Sequence, residues 1–334
     1  MQRLTLARLD EILERAAGLR VVVVGDLMLD VYLSGSVSRV SPEAPVPVVH
    51  VTEERVALGG AANVAANVAA LGAECDLLGY VGLDAAGMQI RRALADSVGG
   101  TIRAHLAERE HRPTTTKTRV VARTQQVVRF DRERDDDLDE SCADELCTLL
   151  AQTLPAADAL VLEDYNKGVL VPVVIRAALD SAMRQGMPTV VDPKFRNFFQ
   201  YQGATVFKPN ALELGAVLGT PTAHADDRWL EEARLRIGCE HLLVTLGEDG
   251  MVLRSGDGAT LRVPTLAREV YDVSGAGDTV TACLAVALAA GASVEEAAVL
   301  ANVAAGIEVS KPGVATVAPA ELRDALAFAH HHHF

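Results

Sequence analysis

Short apolar runs alternate with amphipathic segments along most of this chain. The runs have the length and β-branched content of buried parallel strands, and they cover Val21 to Val24, Leu160 to Leu162, Thr189 to Val191, Thr205 to Phe207 and Leu242 to Thr245. Helical patterns separate most of these runs, at Ala61 to Leu71, Ala85 to Ser97, Glu140 to Leu154, Pro172 to Gln185 and Asp227 to Ile237. Repeated units of this kind predict an α/β fold with a doubly wound, mostly parallel central sheet and helices on both faces.

Two regions interrupt this alternation. Residues 32–56 contain three prolines, and residues 102–132 are rich in Thr, Val and Arg with partial alternation. Both patterns indicate extended strands, with the prolines confined to an edge. We expect the two excursions to form one small β-sheet that acts as a lid over the strand ends. Without a sequence repeat or a linker, residues 1–334 are predicted to form a single domain.

Composition narrows the classes of partner. A net charge of −14 argues against binding to nucleic acid or to an anionic membrane surface. The five cysteines are odd in number and lack a C-x-x-C pair, which indicates a reducing compartment and no structural zinc. Met1 to Gly18 has the pattern of an amphipathic helix rather than of a signal peptide, and the longest apolar run is too short to span a bilayer. The expected location is therefore the cytoplasm.

Residues 272–279 form the segment with the clearest chemical pattern. Gly275, Ala276 and Gly277 precede an alanine-rich helix and follow an apolar segment that we expect to be a strand. Backbone N–H groups at such a helix start can approach an anion closely, and the helix dipole favours negative charge there. Asp278 falls in the first helical turn, where a carboxylate can accept a proton from an attacking hydroxyl. A carboxylate at this position can also serve only to complement the dipole.

Other polar residues follow predicted strands. Neither a Walker A loop nor a G-x-G-x-x-G dinucleotide fingerprint is present. Gly59 and Gly60 allow close backbone approach to a ligand, and Asn63 offers a donor and an acceptor to a hydroxyl. Asp30 is the candidate acceptor for sugar hydroxyls, although Asp26 or Asp30 could instead cap a turn.

A basic strand and two further motifs complete the pattern. Lys117 and Arg119 share one face of a predicted lid strand, which suits an anionic substrate group as well as a solubilising edge. Asn210 and Glu213 have i, i+3 spacing, so we expect them to share a helical face and hold the waters of a magnesium ion. The segment from Thr245 to Gly250 has the composition of a plain hairpin loop.

Taken together, these motifs resemble the ribokinase or PfkB carbohydrate kinase family. The resemblance rests on Gly59-Gly60-Ala-Ala-Asn63, Asn210-x-x-Glu213, Thr245-x-Gly247-x-x-Gly250 and Asp272-x-x-Gly275-Ala-Gly277-Asp278, whose order and spacing cover nearly the whole chain. Within that family, the segments 25–30, 38–49, 164–168 and 270–279 resemble the D-glycero-β-D-manno-heptose 7-phosphate kinases of lipopolysaccharide core biosynthesis, in the stand-alone form that no nucleotidyltransferase domain follows.

The resemblance implies an activity. The expected reaction is ATP-dependent phosphorylation of heptose 7-phosphate at the anomeric O1, giving heptose 1,7-bisphosphate for ADP-heptose synthesis. The resemblance also implies that Mg²⁺ accompanies ATP, and it leaves undecided whether a monovalent cation activates the enzyme. It further suggests a homodimer that pairs through the lid strands. Two alternatives stay open: a kinase of another sugar or sugar phosphate, such as a fructose type, and a sugar- and nucleotide-binding regulator without turnover.

The resemblance also implies roles for individual residues. Asp278 would be the general base, and Gly275, Ala276 and Gly277 would form the anion hole for the γ-phosphate. The residues expected to hold sugar hydroxyls are Asp30, Gly59, Gly60, Asn63 and Asp164, and those expected to bind the 7-phosphate are Lys117 and Arg119, with Lys167 or Arg123. The residues expected on the nucleotide side are Asn210 and Glu213 with the magnesium waters, Thr245, Gly247 and Gly250, and Ala301, Asn302 and Ala305 at adenine. Glu163 departs from the family pattern, in which the position before Asp164 is often small and uncharged.

Overall fold

Thirteen strands and ten helices make up the part of the chain that the computed structural model describes, which is residues 4–97, 101–123, 125–220, 226–267 and 270–331. The strands are β1 (Arg20–Gly25), β2 (Leu27–Val40), β3 (Pro47–Gly60), β4 (Glu74–Gly82), β5 (Ile102–Arg109), β6 (Thr115–Ala122), β7 (Gln125–Arg132), β8 (Ala159–Glu163), β9 (Thr189–Asp192), β10 (Val206–Phe207), β11 (His241–Thr245), β12 (Met251–Arg254) and β13 (Thr260–Val263). The helices are α1 (Leu6–Ala16), α2 (Ala61–Ala70), α3 (Ala85–Ala95), α4 (Glu140–Thr153), α5 (Pro172–Gln185), α6 (Ala211–Leu218), α7 (Asp227–Ile237), α8 (Ala276–Ala289), α9 (Val294–Glu308) and α10 (Pro319–His331).

Nine strands form one large sheet in the order β13-β12-β11-β10-β9-β8-β1-β4-β5. The strands from β11 to β5 are parallel, and β12 and β13 continue the sheet as antiparallel strands. Residues on β1 alternate between two apolar clusters: Val21 and Val23 pack with α1, α2, α8 and α9, whereas Val22 and Val24 pack with α4, α5 and α7. The expected doubly wound α/β fold is confirmed, because both faces of the sheet are covered.

A separate four-stranded sheet forms the lid, in the order β3-β2-β6-β7. Strand β2 continues directly from β1 and pairs with β3 over most of its length, so the lid is joined to the carboxyl end of a central strand. The first excursion, residues 32–56, lies in this sheet as predicted. The second excursion does so only from β6 onward, because residues 102–109 form β5 and pair with β4 at the edge of the large sheet. The prediction that all of residues 102–132 belong to the lid was therefore wrong.

The connection into α8 also differs from expectation. We expected a strand to lead directly into this helix, but β13 ends at Val263 and α8 begins at Ala276.

The bounds of α5 and α7 agree with the predicted helices. In the described part of the chain, no helix has both the length and the apolar character needed to cross a membrane.

Candidate active site

Polar residues gather at the carboxyl ends of four neighbouring strands. Glu163 and Asp192 are the last residues of β8 and β9, Lys208 follows β10, and Thr245 ends β11. On the other side of β8, β1 ends at Gly25, which pairs with Glu163. The chain reverses its direction of strand addition at β1, and ligands of doubly wound sheets bind at such a switch point.

A polar cavity of about 400 Å³ opens above these strand ends, between the large sheet and the lid. It brings together many of the predicted site residues, namely Asp30, Gly60, Lys117, Arg119, Asn210, Glu213, Thr245, Gly275, Gly277 and Asp278. It also contains residues to which the sequence had assigned no role, namely Tyr165, Asp192, Lys194, Lys208 and Arg129.

The N-terminus of α8 forms one wall of this cavity. Gly275 caps the helix with φ of 93°, and a Cβ at this position would lie 2.9 Å from Asn63 Nδ2. Asp278 in the first turn is buried and keeps 2% of its surface exposed. Asn63 Nδ2 donates to Asp278 Oδ2 at 2.8 Å, and the Tyr165 hydroxyl donates to Oδ1 at 2.8 Å. Both oxygens are thus oriented by donors from other elements.

Burial raises the pKa of Asp278 to about 6, and the hydrogen bonds from Asn63 and Tyr165 oppose this rise. The carboxyl is therefore mostly ionised at neutral pH and can accept a proton from a hydroxyl in the cavity. A group that served only the helix dipole would not need side-chain donors from two other elements, one on each carboxylate oxygen. The arrangement favours the proton-acceptor role of Asp278.

Two lysines place positive charge beside the helix start. Lys208 Nζ lies 2.7 Å from Asp192 Oδ2, and Lys194 Nζ contacts Glu213 Oε1. Burial disfavours the charge on Lys208, but the neighbouring Asp192 and Glu163 carboxylates outweigh it and raise its pKa, so this lysine stays charged. A Cβ on Gly277 would lie 3.6 Å from Lys208 Nζ, which puts the ammonium next to the predicted anion hole.

Asn210 and Glu213 form a capping box at the start of α6. Asn210 Oδ1 accepts from Glu213 N at 2.8 Å, and Glu213 Oε2 accepts from Asn210 N at 2.9 Å. The expectation that both residues share a helical face was wrong, since Asn210 is the cap residue that precedes the helix. The reciprocal bonds fix both side chains at the cavity wall.

The lid contributes a basic face to the polar cavity. Lys117 and Arg119 share this face as predicted, and Arg129 on β7 lies directly opposite Arg119 in the antiparallel register. Arg119 Nη1 contacts Asp30 Oδ1, and Lys117 Nζ lies 3.3 Å from Glu133 Oε2.

Two other residues predicted as possible ligands of the 7-phosphate, Lys167 and Arg123, do not line the polar cavity. Lys167 Nζ lies 2.8 Å from the other oxygen of Glu133, which Lys117 also contacts. Arg123, predicted in phase with the basic strand, instead lies exposed just past the end of β6 with φ of 57°.

The glycine pair packs tightly under the lid. A Cβ on Gly59 would overlap Asp30 Oδ2, and a Cβ on Gly60 would overlap the carbonyl oxygen of Asp26. Asp26 itself accepts backbone N–H groups from Tyr165, Lys167 and Val169, so it organises the loop after β8. Asp26 therefore has the turn-stabilising role, and Asp30 faces the cavity.

Asp164 does not line the polar cavity, in contrast to its predicted contact with sugar hydroxyls. Its Oδ2 accepts from the Tyr201 hydroxyl at 2.7 Å, and its Oδ1 accepts from Asn166 N at 2.7 Å. Only 2% of Asp164 is exposed. Its side chain stabilises the loop after β8 from within the protein.

A second, more apolar cavity of about 510 Å³ adjoins the first. The predicted residues that line it are Asn210, Thr245, Gly247, Gly250, Ala276, Gly277, Asn302 and Ala305. Thr245 to Gly250 forms the turn of the β11–β12 hairpin and also lines this cavity. Ala301, predicted to face adenine, is fully buried in the core.

The two cavities share four wall residues: Asn210, Thr245, Val273 and Gly277. A ligand in the apolar cavity and a ligand in the polar cavity would therefore meet beside the first turn of α8. The shape suits a flat, partly apolar ligand with a charged end, together with a second ligand that is strongly polar.

Some of the missed residues carry a sequence signal and others do not. Asp192-Pro193-Lys194 and Lys208-Pro209-Asn210 each follow a strand, so the rule that parallel strands end at one edge would have placed their charges here. Tyr165 also follows a strand, but that position does not reveal its contact with Asp278, which lies 113 positions away in the chain.

Comparisons with known proteins agree on one family. The family profile described as pfkB family carbohydrate kinase matches residues 19–321. A bifunctional protein HldE from Azorhizobium caulinodans is 48% identical over 307 residues, covering 92% of this chain and 64% of the relative. A bifunctional protein HldE from Trichlorobacter lovleyi is 43% identical over 325 residues, covering 96% of this chain and 65% of the relative. The chain thus spans slightly less than two thirds of the length of these relatives.

Solved structures share the fold at low sequence identity. A ribokinase from Arabidopsis thaliana, complexed with ribose and ATP, has a TM-score of 0.73 at 21% identity and covers 92% of this chain and 99% of that chain. Phosphofructokinase-2 from Escherichia coli, in complex with substrates and products, has a TM-score of 0.75 at 20% identity and covers 93% of this chain and 99% of that chain.

Proposed function

Because this chain belongs to the pfkB family of carbohydrate kinases, we propose that it transfers the γ-phosphoryl group of ATP to the anomeric O1 of D-glycero-β-D-manno-heptose 7-phosphate. The products are heptose 1,7-bisphosphate and ADP. The observation that carries this proposal is the position of Asp278, which lies in the polar cavity at the start of α8, beside Lys208 and opposite the basic lid face.

Asp278 acts as the general base in this proposal. Its ionised carboxylate accepts the proton of the O1 hydroxyl while O1 forms a bond to the γ-phosphorus and the bond to the β-phosphate oxygen breaks. Since the anomeric hydroxyl is more acidic than an ordinary alcohol, partial proton transfer is enough. Asn63 and Tyr165 hold the carboxylate in position throughout.

Charge neutralisation accounts for the rest of the barrier reduction. Backbone N–H groups at Gly275 to Gly277 and the positive end of α8 face the transferred phosphoryl group, and Lys208 adds a full positive charge nearby. Phosphoryl transfer depends mainly on such positioning and electrostatic stabilisation.

The adenine end of ATP occupies the apolar cavity beside Asn302 and Ala305. Magnesium accompanies the nucleotide, and the fixed oxygens of Asn210 and Glu213 suit an ion that keeps most of its waters. When bound, magnesium screens the negative charge of the phosphates.

The basic lid face supports a phosphorylated substrate. Like charges directly opposite each other in an antiparallel pair are unfavourable, yet Arg119 and Arg129 occupy such a pair and both line the cavity. Arg119 pairs with Asp30 and Arg129 pairs with Asp131, and a substrate phosphate between the two arginines would give both a further anionic partner. The choice of a heptose as the sugar rests on the resemblance of residues 38–49 to heptose 7-phosphate kinases. The lid cations by themselves indicate only a phosphate group.

Phosphorus NMR of the reaction with heptose 7-phosphate and ATP tests both the substrate and the position of transfer. We expect a new anomeric phosphate resonance beside the unchanged 7-phosphate resonance. ADP formation without that resonance would contradict transfer to O1.

A kinase of another sugar phosphate, such as a fructose phosphate, is the alternative, since the lid cations recognise phosphate rather than one sugar. A panel of sugar phosphates with coupled ADP detection distinguishes the two.

We also propose that the lid mediates a homodimer. Its outer strands β3 and β7 are sheet edges among the described residues, and exposed apolar side chains lie on the lid at Val40, Val128 and Phe130. Edge strands of this kind pair readily with a second copy. Light scattering at micromolar concentration should give the mass of a dimer, and a clean monomer would contradict the proposal.

A further inference from the structure

Glu163 is a buried acid with no assigned role. It ends β8, has 0% of its surface exposed, and neither of its carboxylate oxygens has a hydrogen-bond partner among the described residues. An ionised carboxylate buried without a partner is strongly unfavourable, so native proteins pair such groups or use them to bind metal ions.

Two other carboxylates lie next to Glu163. One oxygen each of Glu163, Asp192 and Asp278 lies within 4.8 Å of the other two. The best-placed point in such a triangle lies no more than about 2.8 Å from each of the three oxygens. This is close to the roughly 2.3–2.6 Å that calcium prefers, and small side-chain shifts bring the oxygens to the shorter distance that magnesium prefers. Carboxylate oxygens are the ligands that these hard cations select.

Hydrogen bonds already present leave this geometry available. Asp278 accepts one hydrogen bond on each oxygen, from Asn63 and from Tyr165, and Asp192 Oδ2 accepts a hydrogen bond from Lys208. Each carboxylate oxygen has more than one acceptor direction, so both residues can keep these bonds and still contact a cation. Glu163 contributes one oxygen to the cluster, and neither of its oxygens has a hydrogen-bond partner among the described residues.

The charges around the cluster are unbalanced. Lys194 and Lys208 are the ammonium groups that face it, and Glu163, Asp192, Asp278 and Glu213 are the carboxylates. Four carboxyl groups thus face two ammonium groups, and burial together with the neighbouring Asp192 and Asp278 raises the pKa of Glu163. A divalent cation between the carboxyl oxygens would offset this crowding of acidic groups.

We propose that Glu163, Asp192 and Asp278 bind one hard divalent cation directly in the protein without nucleotide, with Mg²⁺ or Mn²⁺ as the ions of suitable chemistry. The site is distinct from the water-mediated position at Asn210 and Glu213, because its ligands come from β8, β9 and α8 and contact the ion themselves. The bound ion compensates the buried charge of Glu163 and holds the strand ends and the first turn of α8 together.

Titration of the nucleotide-free protein with Mn²⁺, followed by the electron paramagnetic resonance signal of free Mn²⁺, tests this site. We expect one bound ion per chain in the wild-type protein and competition by Mg²⁺. The isosteric substitution Glu163→Gln should weaken Mn²⁺ binding by about tenfold or more, and Asp192→Asn should have the same direction of effect. Circular dichroism establishes that each variant is folded.

Glu308→Gln is the matched control. Glu308 is likewise fully buried with two unpartnered carboxylate oxygens among the described residues, but it does not belong to the three-carboxylate cluster. Its substitution should leave Mn²⁺ affinity unchanged.

Three results would overturn the proposal: no bound Mn²⁺ in the wild-type protein, wild-type affinity in Glu163→Gln, or loss of binding in Glu213→Gln instead. The first two would mean that the cluster is neutralised by protons. Because neither sugar nor ATP is present, these outcomes are independent of whether heptose 7-phosphate is the substrate.

Discussion

Asp278 is held by one donor on each carboxylate oxygen, and its own charge is the feature that the proposed reaction uses. Asp278→Asn keeps the shape but removes the proton acceptor. We expect kcat to fall by roughly 10²- to 10⁴-fold, while ATP binding measured by calorimetry stays intact because the apolar cavity is unchanged. A kcat near the wild-type value would exclude Asp278 as the base.

The pKa of Asp278 predicts how activity depends on pH. With a value of about 6 when no cation contacts it, kcat/KM should rise with pH and level off above this value as the carboxyl ionises, and a cation bound by Asp278 would move the rise to lower pH. Tyr165→Phe removes a hydrogen bond that favours the ionised form, so the acid limb of the profile should move to higher pH.

Tyr201→Phe provides the control for this prediction. It removes a buried hydroxyl that donates to Asp164 instead, and it should leave the acid limb in place. If the two tyrosine variants shift the profile equally, the hydrogen bond to Asp278 does not set its pKa.

At the residue scale, sequence patterns identified groups whose role follows from local geometry. Asp278 and Gly275 to Gly277 were placed correctly at a helix start, because that geometry needs only the neighbouring residues. Asp164 was assigned to the sugar, whereas Tyr165, in the same 164–168 segment, was given no role. Which of two neighbouring side chains faces a cavity depends on the loop conformation, which Asp26 fixes from the junction between β1 and β2.

At the element scale, the pairing of β6 with β7 determines the basic face of the lid. Arg129→Gln removes one of the two opposed arginines. We expect KM for the sugar phosphate to rise about tenfold to a hundredfold, the cost of a lost hydrogen bond to a charged group, with KM for ATP unchanged.

Arg132→Gln is the control on the same strand. Arg132 is exposed, does not line the polar cavity, and lies an odd number of residues from Arg129, which puts it on the other face of the lid. Its substitution should leave both KM values unchanged. An equal rise in both variants would indicate a general electrostatic effect instead of a phosphate site.

Element bounds were predicted better than element partners. The apolar periodicity of α5 and α7 ends at cap signals, so their bounds followed from the sequence. The alternation of residues 102–109 identified a strand but not its sheet, since β5 pairs with β4 through contacts that alternation does not encode. The connection between β13 and α8 was missed for a similar reason, because Ala267, Val270 and Val273 line the apolar cavity rather than belong to a strand.

For the whole molecule, the buried acids predict how stability depends on pH. Burial raises the pKa of Asp278 and Asp164 to about 6, and that of Glu308 to about 8. These groups bind protons more tightly in the folded than in the unfolded protein, so the stability they contribute is present at low pH and is lost as pH rises through the folded values. The free energy of unfolding should fall between about pH 5 and about pH 8.

Denaturant unfolding in the presence of a chelator measures this slope. Glu308→Gln should flatten its upper part, near pH 8, where only that group still titrates among the three. A free energy of unfolding that rises steadily over the same range would contradict the prediction. Activity needs ionised Asp278, so the protein is expected to be most stable at a pH where it is less active.

The wall that the two cavities share has a consequence for how their ligands influence each other. Both cavities are lined by Asn210, Thr245, Val273 and Gly277. A ligand bound in one cavity therefore fixes the conformation of residues that the ligand in the other cavity contacts. Any resulting cooperativity is reciprocal: the factor by which nucleotide tightens the sugar must equal the factor by which sugar tightens the nucleotide. A thermodynamic cycle built from four dissociation constants would therefore close, and its coupling free energy measures how far the first turn of α8 reorganises when only one ligand is bound.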